Sequence, residues 1–173
     1  PVVSGDVDKA IEMMFQVEGG YSNDKYDSGG KTMFGIIESE ARNFGYQGDM
    51  RNLPKETAKQ IYVKKYWEAY GIPQLKAFPV QAAVMNSAVN GGLGRPSRII
   101  SAMLGEPSSA ASKLKPEWAS KLNSMQPNEA ALKILDGQDA DYERIIKQYP
   151  EKVKFQKGWH NRTKAIKQML GLA

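Results

Sequence analysis

Cysteine is absent from this 173-residue chain, and histidine occurs only once, at His160. Without cysteine the chain can form no thiol nucleophile, no zinc–thiolate site and no disulfide. A lone histidine in a basic, polar stretch makes no metal site, and we expect it at the surface. The chain also lacks an apolar run long enough to span a membrane and a signal-like pattern at its start. A chain of this length can nevertheless bury a core without disulfides or metals.

Acidic residues are few in the C-terminal part of the chain, although the whole carries 24 basic and 19 acidic side chains and a formal net charge of +5. Between Arg144 and Lys167 a single acid, Glu151, stands against eight lysines and arginines, at positions 144, 147, 152, 154, 157, 162, 164 and 167. Such a segment suits an anionic polymer or surface, and it equally suits a solvated helical face.

The hydrophobic periodicity predicts a mainly α protein with one small β-hairpin. Val7, Ile11, Met14 and Glu18 share one helical face, with Ser4 or Asp6 as N-cap and Gly19-Gly20 as the stop. The turn-rich segment 21–36 predicts a short, irregular hairpin. Further helices are expected at 38–44, 54–67, 79–90, from Pro96 onward, 127–136, 138–148 and 159–170, with a loop and a short helix in 105–126. We interpret residues 1–173 as one domain, with a catalytic lobe at 1–92 and a helical lobe at 93–173.

The stretch EGGYSNDKYDSGGKTMFGI, residues 18–36, contains a candidate catalytic pair. Glu18 ends an amphipathic helix on its apolar stripe, where desolvation and the helix dipole disfavour the charged carboxylate, so Glu18 is a candidate general acid. Asp27 lies in a polar turn and is expected to stay ionised. Two carboxylates in different environments are what glycosidic bond cleavage requires. Thr32 is placed to hold a water molecule, and Gly30 lets the backbone approach a polymer. Read separately, Glu18 and Asp27 also fit a plain helix end and an ordinary turn.

The whole string resembles the N-terminal signature of the phage and bacterial lysozymes of glycoside hydrolase family 108. That signature is a helix ending in EGGY, then an Asn-Asp turn, an Asp and Gly-Gly-x-Thr-x-x-Gly-Ile. The resemblance continues in order through IYVKKYW at 61–67, AVNGG at 88–92 and FQKGWHNR at 155–162. The last of these is similar to the end of the family's peptidoglycan-binding part. Two places depart from the family pattern: Met85-Asn86 stands where an Asp is usual, and residues 105–118 do not reproduce an Asp-Gly-x-x-Gly turn.

The resemblance implies a lysozyme-like fold and a muramidase that cuts the β-1,4 bond between N-acetylmuramic acid and N-acetylglucosamine. It implies Glu18 as the catalytic acid with Asp27 and Thr32 in support, in a cleft between a hairpin lobe and a helical lobe that needs no metal and no cofactor. We expect a monomer whose partner is peptidoglycan and not nucleic acid. Because the sequence shows no signal of its own, we expect synthesis in the cytoplasm and action on the cell wall, as for an endolysin.

Several side chains have two interpretations. Asn90 fits a helix cap or a sugar contact, Tyr66 fits the core or the cleft, and Tyr21 follows the glycines and is placed to line the cleft. Trp67 is expected in the core, and Trp159 with Arg162 is expected to anchor the last helix. These choices make Tyr21, Gly30, Asn90 and Tyr66 the candidate substrate-binding residues.

Two rival functions also remain, and a third fits only the charge. A lytic transglycosylase would need the acid but no water-activating partner, which Asp27 and Thr32 argue against. A non-catalytic wall-binding or secretion-assisting protein would not need an intact Glu18. A nucleic-acid binder would fit the charge, but the chain shows no recognised reading motif.

Overall fold

The computed structural model describes residues 2–23 and 30–172 and has two compact units, residues 1–65 and 66–173. The boundary falls within a π-helical segment, Val63–Glu68. The sequence interpretation divided its two lobes further along, after residue 92. The mainly α class with a small sheet is confirmed.

Helix α1 spans Gly5–Glu18, with Ser4 as N-cap and Gly19 as C-cap. Its apolar stripe is buried, including Ala10, Ile11 and Met14 at 0% exposure. Gly19 adopts a φ of 76° and donates its backbone N–H to the carbonyl of Phe15, which ends the helix. The predicted helix and its glycine stop are therefore confirmed, and Glu18 is the last helical residue.

The polar segment after α1 forms an antiparallel sheet of three short strands among the described residues, one more than a hairpin would have. Strand β1 is Ser22–Asn23, β2 is Lys31–Met33 and β3 is Ile36–Ile37, in the order β1-β2-β3. In register, Ser22 faces Thr32, which in turn faces Ile37. The residues between β1 and Gly30, Asp27 among them, lie outside the described part of the chain.

Two helices complete the first unit. Helix α2 spans Glu38–Phe44 as predicted, and after a 3-10 turn at Met50–Asn52 helix α3 spans Lys55–Tyr62. The ammonium of Lys59 on α3 bonds the carboxylates of Asp8 and Glu12 on α1, at 2.6 and 2.8 Å. These ion pairs and the buried apolar faces hold α3 against α1.

In its described residues the second unit contains helices joined by loops, and no β-strand. After a 3-10 turn at Ile72–Gln74 its helices are α4 Phe78–Gly91, α5 Gly94–Met103, α6 Pro116–Asn123, α7 Pro127–Gln148 and α8 Gln156–Met169, with a 3-10 helix at Pro150–Phe155 before α8. Every residue of α4 from Val80 to Ala88 is buried. The central buried helix is thus confirmed, and so is the loop with a short helix in 105–126.

The predicted break between two helices at 127–136 and 138–148 is wrong. Residues 127–148 form one helix, α7, and Gly137 lies inside it. A β-carbon at Gly137 would come within 2.6 Å of the Cγ2 of Ile99 on α5. The glycine therefore serves close packing of α5 on α7 and does not end a helix. Two other helices begin earlier than predicted: α5 begins before Pro96, and α8 begins before residue 159.

Candidate active site

Glu18 is half-buried at the C-terminal end of α1, and its side chain lies against the turn between β2 and β3. A β-carbon built on Gly35 would come within 2.9 Å of the Glu18 Oε2 and within 2.9 Å of the Tyr62 hydroxyl. The carboxyl and the phenol are therefore neighbours over the same glycine. No larger residue fits at this position without moving one of them.

Phe34 and Gly35 form the two-residue connection between β2 and β3. Both have positive φ, 53° and 76°, as the tight turn favoured in hairpins requires. Glycine reaches this conformation readily, whereas phenylalanine there is strained. Among the described residues Phe34 is the single non-glycine with positive φ.

An aromatic cluster supports this turn from below. The Tyr62 hydroxyl donates a 2.6 Å hydrogen bond to the carbonyl of Phe34. The ring of Phe15 packs on Phe34 at 4.7 Å and edge-on against Tyr62 at 5.2 Å. The last turn of α1, the β2–β3 turn and the end of α3 thus meet at one point, where Glu18 lies.

The other predicted residues of the first unit lie on the sheet or next to it. Thr32 is half-buried on β2, the strand that leads into the Phe34-Gly35 turn. Tyr21 is 39% exposed, just before β1. Gly30 has a φ of 66°, and a β-carbon there would meet nothing within 4 Å. The structure brings the ends of α1 and β2 together. Asp27 lies outside the described residues, so its placement stays a prediction.

Asn90, in the second unit, lies near the end of α4 in a polar cluster. Its side-chain oxygen accepts hydrogen bonds from Arg95 at 2.7 Å and from the Tyr142 hydroxyl at 2.5 Å. Tyr142 in turn accepts from Gln138, also on α7, at 2.6 Å. These bonds tie α4 to α5 and α7, and they are structural. A contact between Asn90 and a sugar remains a prediction.

Asn86, part of the Met85-Asn86 pair at which the sequence departs from the expected pattern, belongs to the same cluster. It is fully buried, donates to Gln138 at 3.0 Å and accepts from the Nε of Arg162 on α8 at 2.8 Å. Asn86 therefore joins α4 to α7 and α8 through hydrogen bonds. Arg162 is a structural anchor, as predicted.

Asp141 on α7 is the buried ionic centre of the second unit. It accepts hydrogen bonds from the Nε of Arg95 at 2.9 Å and from the Nε of Arg144 at 3.0 Å, with Arg98 at 3.4 Å. Burial raises the pKa of Asp141, but the bonds from Arg98 and Arg144 and the charge of Arg95 outweigh it and hold the pKa below its usual value. Burial lowers the pKa of Arg95.

The remaining predicted anchors lie where α8 meets α7. Trp159 stacks on Tyr142 at 5.1 Å and on Phe155 at 5.6 Å. His160 is 33% exposed and contacts the carboxylates of Asp139 at 2.8 Å and Glu143 at 2.6 Å. Trp67 is buried as expected, and Tyr66 is half-buried in the π-helical segment. A substrate role for Tyr66 stays a prediction.

Two kinds of feature are absent from the described ranges, a metal-binding cluster and a membrane-spanning helix. Residues 2–23 and 30–172 contain no group of three or more histidine, cysteine, aspartate or glutamate side chains that could hold a metal ion. In the same ranges no helix has the length and apolar character needed to cross a bilayer.

Sequence reasoning missed the part played by Tyr62, because a tyrosine at helical spacing is expected in the core. It is indeed 2% exposed, yet its hydroxyl reaches the turn beside Glu18. The signal was present in the string MFGI, where a phenylalanine precedes a glycine between two short strands. Such a pair predicts a tight turn in which the phenylalanine has a strained backbone, so that a neighbouring side chain must stabilise it.

Comparison with known proteins gives a family model and a fold that this chain matches. Residues 11–92 match the family model described as Glycosyl hydrolase 108. This match includes α1 from Ile11 onward, the sheet, Glu18 and Tyr62. No curated protein shows a significant match to the chain. A solved structure of SagA from Brucella abortus is 23% identical, with a TM-score of 0.75 over 98% of this chain and 97% of that one. The structural likeness confirms the predicted fold class, mainly α and lysozyme-like.

Proposed function

The chain belongs to the glycosyl hydrolase 108 family through residues 11–92, and from this premise we propose that it is an N-acetylmuramidase. Family membership makes it a glycoside hydrolase with a lysozyme-like role on peptidoglycan. The proposed bond is the β-1,4 link between N-acetylmuramic acid and N-acetylglucosamine, and the proposed general acid is Glu18. One observation carries the proposal: Glu18 ends its helix half-buried, with its carboxyl against the Phe34-Gly35 turn.

The proposed reaction uses two groups of opposite protonation. Glu18 gives its proton to the glycosidic oxygen as the bond to the muramic acid breaks, while positive charge grows on the sugar ring. Asp27 stabilises that charge or activates the water that attacks the anomeric carbon, and Thr32 on β2 orients the water. In this scheme Tyr21, Gly30, Asn90 and Tyr66 contact the glycan.

Glu18→Gln tests the acid directly. The amide keeps the shape of the carboxyl but has no acidic proton, so we expect a folded protein whose lytic rate falls by about 10²–10⁴-fold. The measurement is reducing-end release from purified peptidoglycan, with thermal unfolding as the check on folding. A well-folded variant that keeps more than about a tenth of the rate contradicts the assignment.

The products of the intact enzyme separate it from its rivals. A muramidase leaves reducing N-acetylmuramic acid, which mass spectrometry of the released fragments identifies. Dominant anhydro ends, lighter by one water, would mean a lytic transglycosylase. Binding without any release would mean a non-catalytic wall-binding protein. If Asp27→Asn has no effect on hydrolysis, the second carboxylate lies elsewhere.

We further propose an endolysin that is made in the cytoplasm, acts as a monomer on the cell wall, and uses its basic C-terminal segment, 144–167, for wall affinity. Lys152 and Lys154 of this segment lie on the exposed 3-10 helix before α8, beside the half-exposed Phe155. A polyanionic wall would be attracted there, with an affinity that salt weakens.

Reversing Lys152 and Lys154 to glutamate should weaken binding to purified sacculi and flatten its salt dependence, while cleavage of a soluble oligosaccharide stays unchanged. The matched control reverses Lys76 and Lys113, two exposed lysines of the same unit outside the segment. Equal losses in both variants would show that net charge, and not this segment, carries the affinity. Loss of soluble-substrate cleavage in a stable variant would place the segment in the catalytic apparatus.

A further inference from the structure

The hydroxyl of Tyr62 makes a hydrogen bond that bears on the position of Glu18. Tyr62 is 2% exposed at the end of α3, and a buried phenol needs a hydrogen-bond partner. The Tyr62 hydroxyl donates to the backbone carbonyl of Phe34, 2.6 Å away, in the turn between β2 and β3. The bond therefore ties a helix of the first unit to the backbone of the turn on which Glu18 rests.

That turn requires such support. Phe34 has a φ of 53°, a conformation that a bulky residue adopts only when its surroundings hold it there. Two contacts do so: the Tyr62 hydroxyl holds its carbonyl, and the ring of Phe15 packs on its own ring at 4.7 Å. Phe15 is three residues before Glu18 on α1, so the same helix supplies the ring contact and the carboxyl.

The next residue, Gly35, is the one against which the Glu18 carboxyl lies. At Gly35 the Glu18 Oε2 and the Tyr62 hydroxyl oxygen both lie 2.9 Å from the point that a β-carbon would occupy. A shift of the Phe34-Gly35 backbone therefore changes the surface against which the Glu18 side chain lies. With the carbonyl of Phe34 no longer held, that surface is no longer fixed.

We propose that Tyr62 is a positioning residue for the catalytic acid: its hydroxyl holds the Phe34-Gly35 turn and so fixes the Glu18 carboxyl in its productive orientation. The inference rests on the proposed role of Glu18 as the acid. A general acid works only within hydrogen-bond reach of the leaving oxygen, and a displacement of about 1 Å can lower the rate about 10²-fold. The proposed role of Tyr62 is to hold the turn and not to bind the substrate.

Tyr62→Phe removes the hydroxyl and keeps the ring. We expect kcat on a soluble peptidoglycan oligosaccharide to fall at least about tenfold with KM changed less than about twofold, because orientation and not binding is lost. Tyr70→Phe is the matched control. Tyr70 is also fully buried, and its hydroxyl bonds Ser97 at 2.8 Å in the second unit. Both variants should lose a similar few degrees in Tm, but Tyr70→Phe should keep kcat.

The double variant Glu18→Gln with Tyr62→Phe separates positioning from an independent effect. If Tyr62 acts through Glu18, the double variant retains the same residual rate as Glu18→Gln alone. A further tenfold loss would overturn the proposal, and so would a Tyr62→Phe enzyme with normal kcat. If Glu18→Gln alone stays active, the proposed role of Glu18 as the acid is contradicted, and the positioning role of Tyr62 is contradicted with it. If it is inactive while Tyr62→Phe is normal, only the positioning role fails.

A second pair of variants covers the case in which Tyr62→Phe does not fold. Gly35→Ala places a methyl group 2.9 Å from the Glu18 Oε2, whereas Gly45→Ala, at the end of α2, adds one where nothing lies within 4 Å. Both glycines have positive φ, 76° and 111°, so both variants carry backbone strain. We expect kcat to fall at least about tenfold in Gly35→Ala alone. Equal kcat in the two variants would overturn the proposal.

Discussion

The two units of this protein remove polar side chains from water in different ways. In the second unit Asn86, Asn90, Gln138 and Tyr142 bond one another, and their hydrogen-bonding groups are used within the fold. In the first unit Glu18 remains half-exposed at a helix end, held against the backbone of a two-residue turn. A polar group that is buried together with its partners contributes to stability, whereas a carboxyl that is half-exposed remains accessible to a substrate.

The comparison clarifies the position of Asn90, for which the sequence left two interpretations. Its oxygen accepts hydrogen bonds from Arg95 and Tyr142, and these bonds connect α4 to α5 and α7. A sugar contact would therefore fall to its amide nitrogen. Burial of a polar residue near a signature motif does not by itself identify a binding residue.

Among the changes that test this comparison of the two units, a substitution of Asp141 should have the largest effect on stability. Asp141→Leu leaves the guanidinium of Arg95, which is 7% exposed, without its carboxylate. Removing one partner of a buried ion pair typically costs about 3–5 kcal/mol in the free energy of unfolding. Urea unfolding measures this loss. Below the unfolding transition we expect kcat to stay normal, the reverse of Glu18→Gln.

Asp136→Ala is the matched control for Asp141→Leu. Asp136 also lies on α7 and pairs with Lys167 at 2.8 Å, but its side chain is 60% exposed. An exposed pair contributes less than about 1 kcal/mol. Comparable losses at the two positions, or loss of kcat in folded Asp141→Leu, would contradict the distinction between the structural carboxylate of Asp141 and the proposed catalytic carboxyl of Glu18.

A smaller effect is expected at Gly137, where a methyl group would meet Ile99 at 2.6 Å. Gly137→Ala should destabilise the protein by about 1–3 kcal/mol through overpacking, although alanine is the better helix former. In an Ile99→Ala background, which removes the clashing methyl group, the same change should become stabilising by about 0.5–1 kcal/mol. Thermal unfolding of the four proteins measures both.

Gly158 on α8 is the control for this prediction, since a β-carbon there would meet nothing within 4 Å. Gly158→Ala should stabilise by about 0.5–1 kcal/mol from helix propensity alone. If Gly137→Ala also stabilises the intact protein, α5 and α7 do not need a glycine to pack.

Gly137 also shows why part of the fold escaped prediction. Local periodicity was enough for α1, α2 and the buried α4, whose apolar patterns and glycine stops are in the sequence. It could not show that Gly137 is a packing site, because that depends on Ile99, 38 positions earlier in the chain. At the candidate site the motif identified Glu18 and Thr32 from neighbours in sequence. The Tyr62 contact joins α3 to a turn 28 residues earlier and needed coordinates.

The smallest effect on stability is expected at His160 on α8. Its ring lies between the carboxylates of Asp139 and Glu143 on α7. The ammonium of Lys167 lies 3.8 Å from the carboxylate of Asp139. Partial burial lowers the pKa of His160, but the bonds to Glu143 and Asp139 outweigh it and raise the pKa above its ordinary value. The native state therefore binds this proton more tightly than the unfolded chain. The resulting stability is fully present below about pH 6.5 and is lost as the pH rises through the raised value.

His160→Gln isolates this contribution, because His160 is the sole histidine of the chain. We expect the intact protein to be more stable than the variant near pH 6. The difference in the free energy of unfolding should be less than about 1 kcal/mol, because solvent screens the contacts of the imidazole with the two carboxylates. It should shrink toward pH 8. Carboxyl and lysine groups ordinarily titrate outside this window, so the change reports the imidazole. Urea unfolding at intervals of pH measures it. A difference that stays constant with pH would mean that Asp139 and Glu143 do not hold His160 as the cation, and that charge at the α7–α8 contact adds no pH-dependent stability to the second unit.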